Sequence, residues 1–249
     1  MLQTNVWTVT LSALITAIAT GLGPMPLALF KAIKRRQLSL FHGAAGGLML
    51  SASHGLLQEG RTYNSALTLI GMLAGLGMIL LADRYVSKQE DVEVADLEGK
   101  GARKALVILG AMTAHSFAEG IGVGVSFGGS NQLGLFITTA IAIHNIPEGI
   151  AIGLVLLPRG TPLWKAIGWS IFTSLPQPIM AIPAFLFVMA FKPLLPVGLG
   201  LAAGAMIWMV FAELLPDAMK HASAESVATV VVLSFAALLA FQNIVMPAS

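Results

Sequence analysis

His115-Ser116-Phe117-Ala118-Glu119-Gly120 and His144-Asn145-Ile146-Pro147-Glu148-Gly149 are two copies of one phrase, each set inside a long apolar stretch. A histidine and a glutamate four residues apart stack on one face of a helix. Two neighbouring helices carrying the phrase would aim two imidazoles and two carboxylates at each other, which is a metal site in outline. An acidic side chain at the centre of a membrane helix costs roughly 2.5–3.5 kcal/mol on insertion scales. Such residues face the bundle interior, find partners and often mark an ion path.

The surrounding composition is that of a membrane. Of the 249 residues, 56% are hydrophobic and only 10% are charged, with a mean hydropathy of +0.83. A soluble globular chain averages about 25% charged residues. Roughly 20 apolar residues cross a bilayer as a helix. The chain is therefore predicted to be an all-α polytopic membrane protein, a single transmembrane domain over 1–249. Eight spans are expected, near 6–29, 40–58, 64–83, 104–127, 132–157, 164–191, 194–214 and 226–247, with a cytoplasmic linker at 84–104. The first stretch has no positive segment ahead of it and is too long for a signal h-region, so it is expected to be a span. Twelve of the fourteen basic residues fall in the connections after spans 1, 3, 5 and 7; only Arg61 and Lys192 lie on the other side. By the positive-inside rule both termini are extracytoplasmic. The net charge of +2 is then explained by topology, and no nucleic-acid partner is expected. Cysteine is absent, which removes disulfides and thiolate ligands.

Gly21-Leu22-Gly23-Pro24-Met25-Pro26 predicts a kink or break in span 1, because proline withholds a backbone donor. Thr173-Ser174-Leu175-Pro176-Gln177-Pro178 does the same in span 6 and places a polar side chain there. His54 is expected to be a structural histidine, Glu59 to be solvated, and Glu213 to lie at the inner interface. Glycine pairs four apart follow both copies of the phrase, Gly120 with Gly124 and Gly149 with Gly153, and predict close packing of the two helices on each other. The loop around Gly128-Gly129-Ser130-Asn131 is short, so the two helices are adjacent and antiparallel.

Imidazole and carboxylate together suit zinc, and carboxylates admit manganese or iron(II) as well. Ligands must lose their protons to bind, so metal and protons compete. Pro147 leaves the Ile143 carbonyl without its helical donor, and Asn145 can supply a carbonyl ligand or an orienting hydrogen bond. Ser116 holds the matching place in the first copy. The bland reading, two structural His/Glu hydrogen bonds, is disfavoured by the repetition. A membrane sensor holding a metal without transport is the main alternative, and a metal-dependent intramembrane hydrolase a more distant one. The His-Glu-x-x-His helix of zinc proteases is absent.

At these residues the chain resembles the zinc–iron permease (ZIP) family of divalent-metal transporters, and within it the short prokaryotic and organellar branch with His-x-x-Pro-Glu-Gly. The resemblance covers essentially the whole chain. It implies a transport site at His115, Glu119, His144 and Glu148, and an adjoining site with Ser116, Asn145 and, in span 6, Gln177. It further implies inverted repeats of spans 1–3 and 6–8 around the 4–5 pair, alternating access, and a homodimer in a bilayer, here a bacterial inner membrane. Zinc, or iron(II), manganese or cadmium, would be the substrate rather than a resident cofactor. The chain departs from the family pattern where Ala118 stands for a frequent proline, predicting a straighter span 4. Gln177 and Ser116 make the adjoining site less anionic, so one ion position is expected rather than two. The histidine-rich cytoplasmic loop of many relatives is missing.

Overall fold

The computed structural model describes residues 5–29, 34–88 and 102–245, and every regular element among them is helical. In order these are α1 (Val6–Leu22), α2 (Met25–Leu29), α3 (Arg35–Tyr63), α4 (Ser65–Lys88), α5 (Ala102–Gly129), α6 (Asn131–Leu156), α7 (Leu163–Ser174), α8 (Pro176–Ala190), α9 (Leu195–Met209), α10 (Leu215–Ala218) and α11 (Ala224–Val245). Short 3-10 turns follow α6 and precede α9, and a π-helical turn, Val210–Leu214, joins α9 to α10. Helices or helix pairs cover the stretches expected to be spans. The expected linker is shorter than 84–104, since α4 runs to Lys88 and α5 starts at Ala102; its centre, 89–101, lies outside the described residues.

Among the described residues, six stretches are long and apolar enough to cross a membrane: Val6–Leu27, Ser65–Arg84, Asn131–Leu156, Leu163–Ala190, Lys192–Ala218 and Ala224–Ile244. α3 and α5 are not among them. α3 is rich in glycine, alanine and serine, side chains suited to burial against other helices rather than to lipid.

Proline breaks two of these stretches in the same way. Pro24 and Pro26 have no N–H to give, and the Gly23 N–H takes the Thr20 carbonyl at 3.1 Å, closing α1. Pro176 and Pro178 repeat the pattern, with the Leu175 N–H on the Phe172 carbonyl at 3.1 Å. Pro147, by contrast, is accommodated inside an uninterrupted α6.

Turns of one residue join α3 to α4 and α5 to α6. Asn64 Oδ1 accepts from Leu67 N at 3.0 Å and Ser130 Oγ from Leu133 N at 3.0 Å, capping the second helix of each hairpin. Both turns lie at one end of the bundle, since Gly129 packs beside Glu59. There Tyr63 donates to Glu59 Oε1 at 3.3 Å.

The helices pair selectively: α4 packs on α9, α11 on α3, α5 on α8, and α1 on α6. Closest approach is made by glycine. Gly71 and Gly75 abut the Val197 and Leu201 carbonyls, while Gly200 and Gly204 abut those of Thr68 and Met72. The expectation for the glycines after the repeated phrase needs correcting. Gly120 and Gly124 face Gln177 and Ala181 on α8, and Gly149 and Gly153 face Thr20 and Pro24 at the end of α1. They admit the proline-broken stretches rather than each other, because the His/Glu faces already occupy the α5–α6 seam.

The core centres on α5, α6 and α9. Phe127, Leu133, Phe136, Ile137, Leu56 and Leu199 fill the half nearest the two one-residue turns. At the opposite end a smaller cluster joins Leu109, Ile152, Leu156 and Ala166.

Candidate metal centre

Antiparallel packing of α5 and α6 sets the end of one copy of the phrase beside the start of the other. Glu119 therefore meets His144, with Oε1 3.1 Å from Nδ1. On the other edge of the ring, His144 Nε2 lies 3.5 Å from Glu148 Oε1, one helical turn along α6. All three side chains are buried, and one donor atom from each lies within 4.8 Å of the others. Ligands sharing one tetrahedral zinc with bonds of about 2.1 Å stand roughly 3.4 Å apart. A closure of about an ångström would let these three share an ion.

Two carboxylates buried around one imidazole need a cation or protons for balance, because an uncompensated buried charge costs several kcal/mol. The donor set therefore fits a hard or borderline divalent ion.

His115 is displaced from the predicted quartet. Its Nε2 lies 3.3 Å from Glu213 Oε2. It sits one turn from Glu119 on α5, about 6 Å along the axis, toward the end away from the one-residue turns. Glu213 reaches it from the π-helical turn. Pro216 denies the Ala212 carbonyl its helical donor, and the Leu215 N–H instead bonds Val210 O, five residues back. The sequence carried this signal in Glu213-Leu214-Leu215-Pro216, a carboxylate one turn ahead of a proline in an apolar span.

Behind the three side chains runs an amide relay. Gln177 Nε2 donates to Glu119 Oε2 at 2.6 Å, and Gln177 Oε1 accepts from Asn145 Nδ2 at 3.2 Å. Asn145 Nδ2 also donates to the Thr16 carbonyl at 2.8 Å. Thr20 and Ser174 hydroxyls, 2.7 Å apart, tie α1 to α7 nearby. Ser116 Oγ is buried without a hydrogen-bond partner among the described residues.

His54 is neither buried nor near these groups; its exposed ring meets the edge of Phe235 on α11. The string Gly124-Val125-Ser126-Phe127-Gly128 matches the nucleophile pattern of serine hydrolases. Here it lies in the last turns of α5, with Ser126 Oγ donating to the Val123 carbonyl at 2.7 Å, and has none of the strand-turn-helix geometry that the chemistry requires.

Residues 86–241, most of the chain, match the family model described as ZIP Zinc transporter. Zinc transporter GufA of Myxococcus xanthus is 32% identical over 219 residues, covering 83% of this chain and 86% of the relative. The chain belongs to the ZIP family. Zinc transporter ZIPB of Bordetella bronchiseptica is also 32% identical, over 90% of this ZIP chain and 76% of its own. An Arabidopsis thaliana protein named as a zinc transporter is 45% identical over 97% of this chain, which spans only 39% of that relative's length. ZIP membership and the six apolar stretches make the chain an integral, multi-pass membrane protein.

Proposed function

We propose that this ZIP chain carries a divalent cation, zinc by its kinship, across the membrane toward the cytoplasm. The observation that carries the reading is the buried Glu119, His144 and Glu148 group, on antiparallel helices at mid-span. His115 joins this group in another conformer, completing the first shell expected from its place in the phrase. Packed side chains including Phe127 and Phe136 close the path at one end of the bundle, so the ion leaves by the other, past His115 and Glu213.

The eight-span, 3+2+3 reading has support from packing. Exchanging α1 with α7 and α8, α3 with α9, α4 with α11, and α5 with α6 turns each principal contact into another: α4–α9 into α11–α3, and α5–α8 into α6–α1. The Pro-x-Pro breaks at 24–26 and 176–178 exchange as well. Such a pseudo-twofold, with the site at its centre, is the architecture of alternating access. The distribution of basic residues is the ground for proposing extracytoplasmic termini, and a bacterial inner membrane is proposed with them. The homodimer remains part of this proposal.

Zinc flux into proteoliposomes loaded with a fluorescent chelator tests the reading. Saturable uptake is expected; tight binding without flux would instead identify a sensor.

A further inference from the structure

We propose that the outward face of α7 is a groove for one anionic phospholipid, with the lipid phosphate at Lys165 and an acyl chain laid over Gly168 toward Phe172. The groove is separate from the metal centre, and its lipid is a ligand rather than a cargo.

Helical spacing gives α7 two distinct faces. Ala166, Ser170, Thr173 and Ser174 are buried. Ala166 joins the cluster of Leu109, Ile152 and Leu156, and Ser174 meets the Thr20 hydroxyl. Trp164, Gly168 and Phe172, each four residues from the next, form an exposed stripe on the other face, edged by Lys165 and Trp169. These five residues line a groove of about 290 Å³. Gly168 gives it depth: a Cβ there would have nothing within 4 Å, so the rings stand above bare backbone. Trp169 is edge-on to Phe172, with centroids 5.5 Å apart, and also packs against the cluster beneath. The core therefore holds that wall in place.

The charge sits at one end of the groove. Lys165 Nζ lies 5.7 Å from the centroid of the Trp164 ring, which draws the ammonium over the indole by a cation–π contact. No side chain caps this end of α7, so the positive end of the helix dipole adds to the lysine. Arg159, in the connection just ahead, has the same sign. Below Lys165 the lining is aromatic, and the seven residues to Phe172 span roughly 10 Å along the axis. A phospholipid has this order, phosphate at the interface and hydrocarbon beneath. No acidic side chain lines the groove, so nothing there matches the cation of a zwitterionic headgroup, whereas a net negative lipid meets Lys165. A second copy of the chain fits less well: a twofold contact along this stripe would set one Lys165 against the other.

Tryptophan quenching by brominated lipid tests the proposal. Trp7→Phe with Trp208→Phe leaves Trp164 and Trp169 as the emitters. This protein is placed in phosphatidylcholine bilayers doped equally with brominated phosphatidylglycerol or brominated phosphatidylcholine. The anionic lipid is expected to quench with about fivefold higher relative affinity, the effect of one lysine beside an anionic lipid surface. Lys165→Gln is expected to erase the preference and Lys165→Arg to keep it. Gly168→Leu, which occupies the floor of the groove, is expected to bring the anionic lipid down to the phosphatidylcholine level. Native mass spectrometry of the protein with all four tryptophans reads the same preference, as phosphatidylglycerol retained over phosphatidylcholine and lost in Lys165→Gln. Equal quenching by the two lipids, or a preference that survives in Lys165→Gln or Gly168→Leu, overturns the proposal. Quenching by neither lipid also overturns it, and would mean that protein covers this face.

Discussion

His115 of α5 and Glu213 of the π-helical turn are joined across two groups of helices, with Nε2 3.3 Å from Oε2. On one side, α1, α5, α6 and α8 share the amide relay. On the other, α3 pairs with α11 and α4 with α9, the latter through backbone contacts at glycines. This pair bridges the two groups and turns His115 toward Glu213.

Replacing Glu213 with glutamine should therefore free His115 to turn toward Glu148. Zinc binding is expected to tighten and maximal flux to fall, each by up to about fivefold, since a partly exposed ion pair contributes roughly 0.2–1 kcal/mol. Calorimetry alongside proteoliposome flux separates the two effects. Unchanged turnover with unchanged affinity would leave the pair without a role.

Glu148→Ala should abolish zinc binding while the protein still inserts. Wild type saturated at 100 times Kd gains about 2.7 kcal/mol against unfolding, visible as a zinc-dependent rise in Tm. The variant is expected to show no such rise, and no flux. A Tm that still climbs with zinc would place the ion elsewhere.

The helices were legible because apolar runs end at charged or turn residues, and the buried Glu119, His144 and Glu148 group was legible because two glutamates cannot be hidden cheaply in lipid. What opposes a given helix face was not. Periodicity puts Gly149 and Gly153 on one face but cannot say that α1, not α5, lies against it. Nor could spacing alone part His115 from its own copy of the phrase. That outcome depends on Glu213, nearly a hundred residues away, delivered by a helical irregularity whose trace was Pro216.

Gly149→Ala should prevent folding or insertion. Its Cβ would overlap the Thr20 carbonyl, and neither backbone can retreat, since the Gly23 turn lies against the same peptide. Overpacking of this kind costs about 3 kcal/mol or more. Gly77→Ala is the control: nothing lies within 4 Å of its new methyl, and a helical alanine gains up to about 1 kcal/mol over glycine. Detergent Tm and membrane yield measure both. Equal stability of the two variants would contradict the α1–α6 packing.

Zinc affinity should fall as pH falls. His144 stands between two carboxylates, its nitrogens 3.1 and 3.5 Å from their oxygens, and such a buried group needs either a cation or protons to balance its charge. An ion can bind the imidazole only at a bare nitrogen and the carboxylates only in ionised form, so each ion bound displaces protons. The sign follows: more protons in solution oppose binding, and apparent Kd rises on acidification. Calorimetry in buffers of different ionisation enthalpy counts the protons released, and a pH series of Kd gives the slope. Binding that releases no protons and is level with pH would mean that His144 stays protonated with the ion present, leaving the carboxylates alone to hold it.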